Sequence, residues 1–190
     1  MRGDTVKKLL TLSLCLATLY AHVCIAGNWL EAPGGSATGL MQRLDRAHWI
    51  AEGAKSTDRL VYVFTDPNCP FCNDLWKAMR QARAPNVQIR YLLVAVISAD
   101  SRGKDAAILE SPDPGSALDR NERNFAKGGI APKANWQPAT AEVISSNEAL
   151  MAALQIYGTP GLVYLNAQSE VKVFAGMPDP EQLRAIVGKP

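Results

Sequence analysis

LVYVFTDPNCPFC, residues 60–72, decides the fold. Leu60 to Phe64 is a short, strongly β-prone run of the kind that forms a buried central strand. Thr65-Asp66-Pro67-Asn68 then ends it, because these turn formers disfavour further regular strand. Beyond the cysteines, Leu75, Ala78, Met79 and Ala82 mark one face of a helix that must finish near Pro85. Val87 to Ile97 is the next strand, long and mostly apolar. Strand, helix and strand within about 40 residues are the signature of a right-handed βαβ unit.

The turn sets Cys69 at the start of that helix. Unpaired backbone N–H groups and the positive end of the helix dipole favour negative charge there. Such a place lowers a thiol's pKa and raises its thiolate fraction, the species that attacks a disulfide sulfur. Pro70 costs no hydrogen bond near the first helical position, and neither Pro70 nor Phe71 brings a charge into the loop. Cys72, three residues on, can resolve a mixed disulfide formed by Cys69; its side of the helix is expected to be the more covered. Asp66, the nearest acid in sequence, is expected to stay in the turn, capping or facing water.

A bare C-x-x-C also supplies half of many zinc sites, or an inert structural disulfide. Residues 1–26 read as a secretory signal: Arg2, Lys7 and Lys8 precede 13 mostly apolar residues, Leu9 to Ala21, too short a run to span a membrane. Cleavage after Ala26 would start the mature chain at Gly27 and remove Cys15 and Cys24. His48 is then the sole mature histidine, so a zinc site would have to recruit carboxylates or a second chain, and no metal is expected. A disulfide across a three-residue separation removes little unfolded-state entropy. Redox exchange is the favoured reading. No glycine-rich loop suggests a cofactor, since Gly128-Gly129 alone is a helix stop, and Leu75, Trp76 and Met79 read as helix packing.

Losing the leader also changes the charge. Lys plus Arg against Asp plus Glu goes from 20 and 18 to 17 and 17 once Arg2, Lys7, Lys8 and Asp4 are removed. A neutral protein offers no electrostatic case for nucleic acid or an anionic membrane. About 164 residues remain, enough for one domain with a sizeable core.

Working outward, residues 27–37 form a Gly, Pro, Ala and Ser-rich leader. From Thr38 to Gly53, Leu40, Met41, Leu44, Ala47, Trp49 and Ile50 recur at helical spacing, predicting an amphipathic helix packed on its own domain. His48 on that helix reads as a surface or partly packed residue rather than a base. Lys104 to Glu110, Ser116 to Lys127 and Val143 to Tyr157 are helix candidates, the last ended by Gly158, with Ile130 to Thr140 irregular between them. Residues of about 100–155 thus form a helical insertion or lid. Leu162 to Leu165 and Val171 to Phe174 read as a hairpin joined by Asn166 to Glu170, and Asp179 to Val187 as a closing helix. The predicted class is α/β, a layered sandwich with a mixed sheet. The division is a signal at 1–26, a leader and linker-like helix at 27–58, and a catalytic domain at 59–190.

Several separated motifs occur in one order: AHWIAEG (47–53), YVFTDPNCPFC (62–72), KDAAILESPDP (104–114), NEALM (147–151), GTPGLVY (158–164) and GMPDPEQL (176–183). On these, the chain resembles the periplasmic disulfide isomerase and reductase family, closest to its DsbG-like branch. The resemblance implies a thioredoxin-like fold with a helical insertion between its βαβ and ββα parts. It also implies a cis bond at Thr159-Pro160 facing the cysteines as a docking element for substrate, with the Thr159 hydroxyl near Cys69. Implied partners are proteins bearing disulfides or oxidised cysteines and, for reduction, a membrane partner of the DsbD-like type. Two departures stand out. Val63 occupies the place of the classical thioredoxin's buried acid, and only about ten mature residues precede the first helix, too few for the family's dimerisation domain. A periplasmic monomer is therefore expected, exchanging protein disulfides through Cys69 and Cys72. The alternatives are a reductase of sulfenylated single cysteines and an exported chaperone or binding module with a structural disulfide.

Overall fold

The computed structural model describes residues 29–30, 37–57 and 59–188. The signal segment and the expected mature start lie outside the described residues. Among the described residues, six strands form one mixed sheet: β1 (Trp29–Leu30), β2 (Ile50–Gly53), β3 (Arg59–Thr65), β4 (Val87–Leu93), β5 (Gly161–Leu165) and β6 (Val171–Ala175). Their spatial order is β1-β6-β5-β3-β4-β2, with β3 and β4 parallel and all other pairs antiparallel.

Alternation along the central strand builds the two layers. Val61 and Val63 point to one face and Tyr62 and Phe64 to the other, and all four are buried. The Val61 and Val63 face packs under α2 (Pro70–Ala82), α4 (Pro114–Arg123) and α6 (Pro180–Val187), through Leu75, Met79, Leu118, Leu183 and Ile186. The Tyr62 and Phe64 face packs under α1 (Ala37–Arg46) and α5 (Pro138–Ala153), through Leu40, Leu44, Leu150 and Met151. Between β4 and β5, α3 (Ser101–Leu109), α4, a 3₁₀ turn over Phe125–Lys127 and α5 make up the predicted helical insertion. The result is the predicted thioredoxin-like α/β core with added helices.

Several boundaries differ from the sequence reading. The predicted helix 38–53 stops at Arg46, and Ile50–Gly53 instead pairs with β4 as an edge strand, Ile50 opposite Tyr91. His48 consequently lies in the connecting loop, exposed, where its carbonyl accepts a hydrogen bond from Asn147 Nδ2 at 3.2 Å. Trp29 and Leu30, read as leader, pair with Phe174 and Val173. The strand predicted to reach Ile97 ends at Leu93: the Val94 amide still bonds the Thr65 carbonyl, but that of Ala95 bonds Glu148, and those of Val96 and Ile97 bond Asp66. Helix α5 starts at Pro138, a residue suited to a first helical position, and ends before Gln155, whose φ is 56°. The hairpin stands as read, its turn held by Asn166 Oδ1 accepting from the Gln168 and Glu170 amides.

Candidate active site

Thr65 ends β3 and Pro70 opens α2, so the four residues between them set where the cysteines stand. Asp66 anchors this turn. Its carboxyl group is fully buried and accepts from the amides of Asn68, Val96 and Ile97 and from the Ser101 hydroxyl. It therefore organises the turn, as a capping group would, but it does not face water. Isolating a carboxyl from solvent is tolerable because four donors replace the water.

Cys69 is the N-cap of α2. Its Sγ accepts from the Cys72 amide at 3.3 Å, filling the place usually taken by a Ser or Asp oxygen. The same sulfur lies 3.3 Å from the carbonyl oxygen of Thr159, to which its thiol donates. The Thr159–Pro160 bond is cis, as the resemblance implied. Pro160 is buried, and its carbonyl accepts from Gly176 at 2.8 Å. The geometry thus brings together all four residues singled out for exchange and docking, Cys69, Cys72, Thr159 and Pro160, from two distant parts of the chain. Pro70 is exposed at the helix start and Phe71 stands 61% exposed beside the pair.

The two thiols differ in kind. Hydrogen bonding from Cys72 lowers the Cys69 pKa to about 6 against the opposing effect of burial, with further lowering from Thr159 and from the Cys72 and Phe71 backbone. Burial pushes the Cys72 thiol up instead, and its hydrogen bond with Cys69 and the charge there push it further. Both sulfurs are nearly closed to solvent, Cys69 2% and Cys72 3% exposed, but Cys72 lies deeper, and burial is the largest effect raising it, as the sequence reading expected. At Cys69 the hydrogen-bond donors that point at its sulfur outweigh burial. Among the described residues, Thr159 Oγ1 is buried without a hydrogen-bond partner, a donor available to a charged sulfur.

Other polar residues bordering the cysteines escaped the sequence reading. Asn68 receives Lys104 Nζ at 2.6 Å, and Lys104 also reaches the Gly128 carbonyl at 2.7 Å. Asn73, Asn121 and Glu122 are buried against one another. A signal existed for two of these, since Asn121 and Glu122 follow Ala117 and Leu118 at the spacing of the buried stripe of α4. Among the described residues, no group of three or more His, Cys, Asp or Glu side chains is placed to hold a metal ion.

The fold and site together define a thioredoxin-fold protein with a closely spaced cysteine pair of the kind found at redox-active centres. The chain belongs to the family described as Thioredoxin-like domain, which matches residues 47–189. It is 36% identical over 150 residues to the thiol:disulfide interchange protein DsbG of Pseudomonas aeruginosa, covering 78% of this chain and 59% of that relative. DsbG of Escherichia coli is 35% identical over 160 residues, covering 84% and 64% respectively. This chain therefore spans about six-tenths of the length of these curated relatives.

Among solved structures, a periplasmic thioredoxin-like protein from Salmonella enterica serovar Typhimurium superposes with a TM-score of 0.62 at 18% identity, over 81% of this chain and 97% of that one. The catalytic domain of Proteus mirabilis ScsC gives 0.61 at 22% identity, over 79% and 93%. These structural likenesses concern the fold.

Proposed function

We propose that the protein is a periplasmic thiol-disulfide oxidoreductase that reduces or exchanges disulfides in other proteins. The observation that carries this reading is the Cys69 sulfur, which meets the Cys72 amide and the Thr159 carbonyl at 3.3 Å each, with its pKa held at about 6. Near neutral pH such a sulfur is largely thiolate and ready to attack. The likeness to two DsbG proteins supports the same chemistry. The basic and apolar leader supports export.

In the reaction proposed, Cys69 thiolate attacks one sulfur of a substrate disulfide and forms a mixed disulfide, while the other substrate sulfur leaves as thiolate. Cys72 then loses its proton and attacks the Cys69 sulfur, forming the Cys69–Cys72 disulfide and releasing the second substrate thiolate. Two electrons pass from the dithiol to the substrate. A membrane reductase of the DsbD-like type would return them, and relative reduction potentials decide the net direction.

The exposed side chains favour a polypeptide as substrate. Phe71 lies within the motif, Tyr157 two residues before Thr159, and Met177 next to the residue that bonds the Pro160 carbonyl; all three are exposed. Val96 and Ile97, also exposed, lie on the loop tied to Asp66. The Pro160 carbonyl is engaged within the fold by the Gly176 amide, so docking of an extended segment falls to the Thr159 backbone, whose carbonyl loses its thiol donor once Cys69 ionises, and to this apolar rim.

The experiment is substrate trapping in the exported protein. Cys72→Ser should accumulate mixed disulfides that are released by reductant, and Cys69→Ser should accumulate none. Trapping that persists in Cys69→Ser would overturn the assignment. Partners captured through a disulfide-forming cysteine pair support disulfide exchange, whereas partners captured only through an isolated, oxidised cysteine would move the reading to reduction of sulfenylated thiols.

A further inference from the structure

Helix α4 of the insertion buries Ala117, Leu118, Asn121 and Glu122 along one stripe. Two of these four are polar, and both turn toward the cysteine loop. Asn121 Nδ2 donates to the Pro67 carbonyl at 3.1 Å and to Glu122 Oε1 at 3.1 Å. Asn73 Nδ2 donates to Glu122 Oε2 at 2.7 Å and to the Glu122 carbonyl at 2.8 Å. The Asn73 amide in turn donates to the Cys69 carbonyl at 3.2 Å. Pro67 is two residues before Cys69 and Asn73 is one residue after Cys72, so a single dipeptide of the insertion holds the motif at its entry and its exit.

The Glu122 side chain is an unusual choice for a purely mechanical clamp. It is 3% exposed, and the donors that reach its carboxyl are two neutral amides. A buried carboxylate without a cation is costly, and a glutamine or a leucine would avoid that cost. Besides Asn73 and Asn121, which bond it, the titratable groups whose charge reaches it are Cys69 at the head of α2, Lys77 within α2 and Tyr91 of β4. Burial pushes the Glu122 carboxyl up, the bonds from Asn73 and Asn121 pull it down, negative charge at Cys69 pushes it up, and Lys77 pulls it down. Two acids sharing a water-poor space oppose one another's ionisation, and the one that ionises second shows the effect.

We propose that Glu122 is a positioning residue of the dithiol centre: with Asn121 it grips the loop through Pro67 and Asn73, and its proton is linked to the charge on the Cys69 sulfur. This rests on the reading of Cys69 as the attacking thiolate. It gives the insertion a role at the redox centre itself: the Cys69 thiolate forms at the expense of a charge on Glu122. With Glu122 protonated the thiolate faces no like charge, and once Cys69 is bonded to a substrate sulfur the opposition between the two groups disappears and Glu122 ionises more readily.

The test follows the Glu122 carboxyl by ¹³C NMR across pH in the reduced full chain, its signal assigned by its loss in Glu122→Gln. The same titration is then run in Cys69→Ser, a near-isosteric change that leaves every bond of the clamp in place. The Glu122 midpoint should fall by about one pH unit in Cys69→Ser, a tenfold change in its proton affinity. A Glu122 that only clamps would titrate identically in both proteins, and an unmoved midpoint overturns the proposal. A structural role alone also cannot produce the reciprocal effect, a shift of the high-pH limb of the Cys69 thiolate absorbance to lower pH in Glu122→Gln. The titrations need no substrate, so a failure of disulfide exchange in trapping assays would be seen separately from a failure of this linkage.

Discussion

The backbone nitrogen of Cys72 lies 3.3 Å from the Sγ of Cys69, so the attacking residue caps the amide of the resolving one and that amide in turn faces the attacking sulfur. Alkylation of the reduced protein should therefore be selective. Its rate at Cys69 should be half-maximal near pH 6, the value to which that thiol is lowered, while Cys72 stays unmodified through neutral pH because its pKa is raised. Mass spectrometry of iodoacetamide-treated protein reads both; equal labelling of the two cysteines at pH 7 contradicts the assignment of roles.

The same shifts predict the pH dependence of stability. Cys69 has a folded pKa of about 6 against an ordinary value of 9.0, so above 9 its thiolate contributes full stability, and this is lost as pH falls toward 6. Cys72 has a raised folded pKa, so its contribution is full below 9 and is lost as pH rises beyond it. Urea unfolding of the reduced protein, compared with Cys69→Ser/Cys72→Ser, should show an excess stability that rises between pH 6 and 9 and declines above it. The slope cannot exceed about 1.4 kcal/mol per pH unit for one proton.

Thr159 lowers the Cys69 thiol through its side chain, whose buried hydroxyl has no other partner. Thr159→Val keeps the shape and removes that donor. The midpoint of thiolate absorbance for Cys69 should rise by about half a unit to one unit. A midpoint that stays in place would show that the backbone donors alone hold the charge.

Asp66 joins three backbone amides and the Ser101 hydroxyl, binding the cysteine turn to the loop that follows β4. In Asp66→Asn one acceptor oxygen becomes an NH₂ facing N–H donors. The loss should be about 2–4 kcal/mol in chemical denaturation. Hydrogen exchange at Val96 and Ile97 should accelerate ahead of the sheet, since among the described residues their amides bond this side chain alone.

Gly161, the residue after Pro160, leaves room for Ile156: a Cβ built there would stand 2.5 Å from Ile156 Cγ2. Ile156 is itself 1% exposed and packed with Leu154 and Val163. Gly161→Ala should cost about 1–3 kcal/mol through overpacking. Adding Ile156→Val, which keeps the branched methyl at Cβ, should not relieve it, whereas Ile156→Ala should recover part of the loss in a double-mutant cycle.

Local rules made much of the fold legible. The unbroken β-prone run Leu60 to Phe64, a proline-tolerant helix start after Asn68 and the hairpin around Asn166 each follow from short-range chemistry, and the structure places strands and helices there. The reading failed where a segment's fate depends on a distant partner. Ile50 to Gly53 continues the helical spacing of α1, yet it becomes a strand because β4 offers an unpaired edge. Ala95 to Ile97 looks like strand, yet the amides are taken by side chains from Asp66 and Glu148.

The site divides in the same way. The sequence by itself determined that Cys69 would head a helix behind a strand-ending turn, because the residues responsible are contiguous and act through backbone geometry within one turn. Only the tertiary structure decided what surrounds the sulfur. The Thr159 carbonyl arrives from 90 residues away and the Asn121–Glu122 pair from an inserted helix. Hydrogen-bond distance and burial are properties of the packed chain, and they turn two chemically identical thiols into one lowered to about 6 and one raised above its ordinary value.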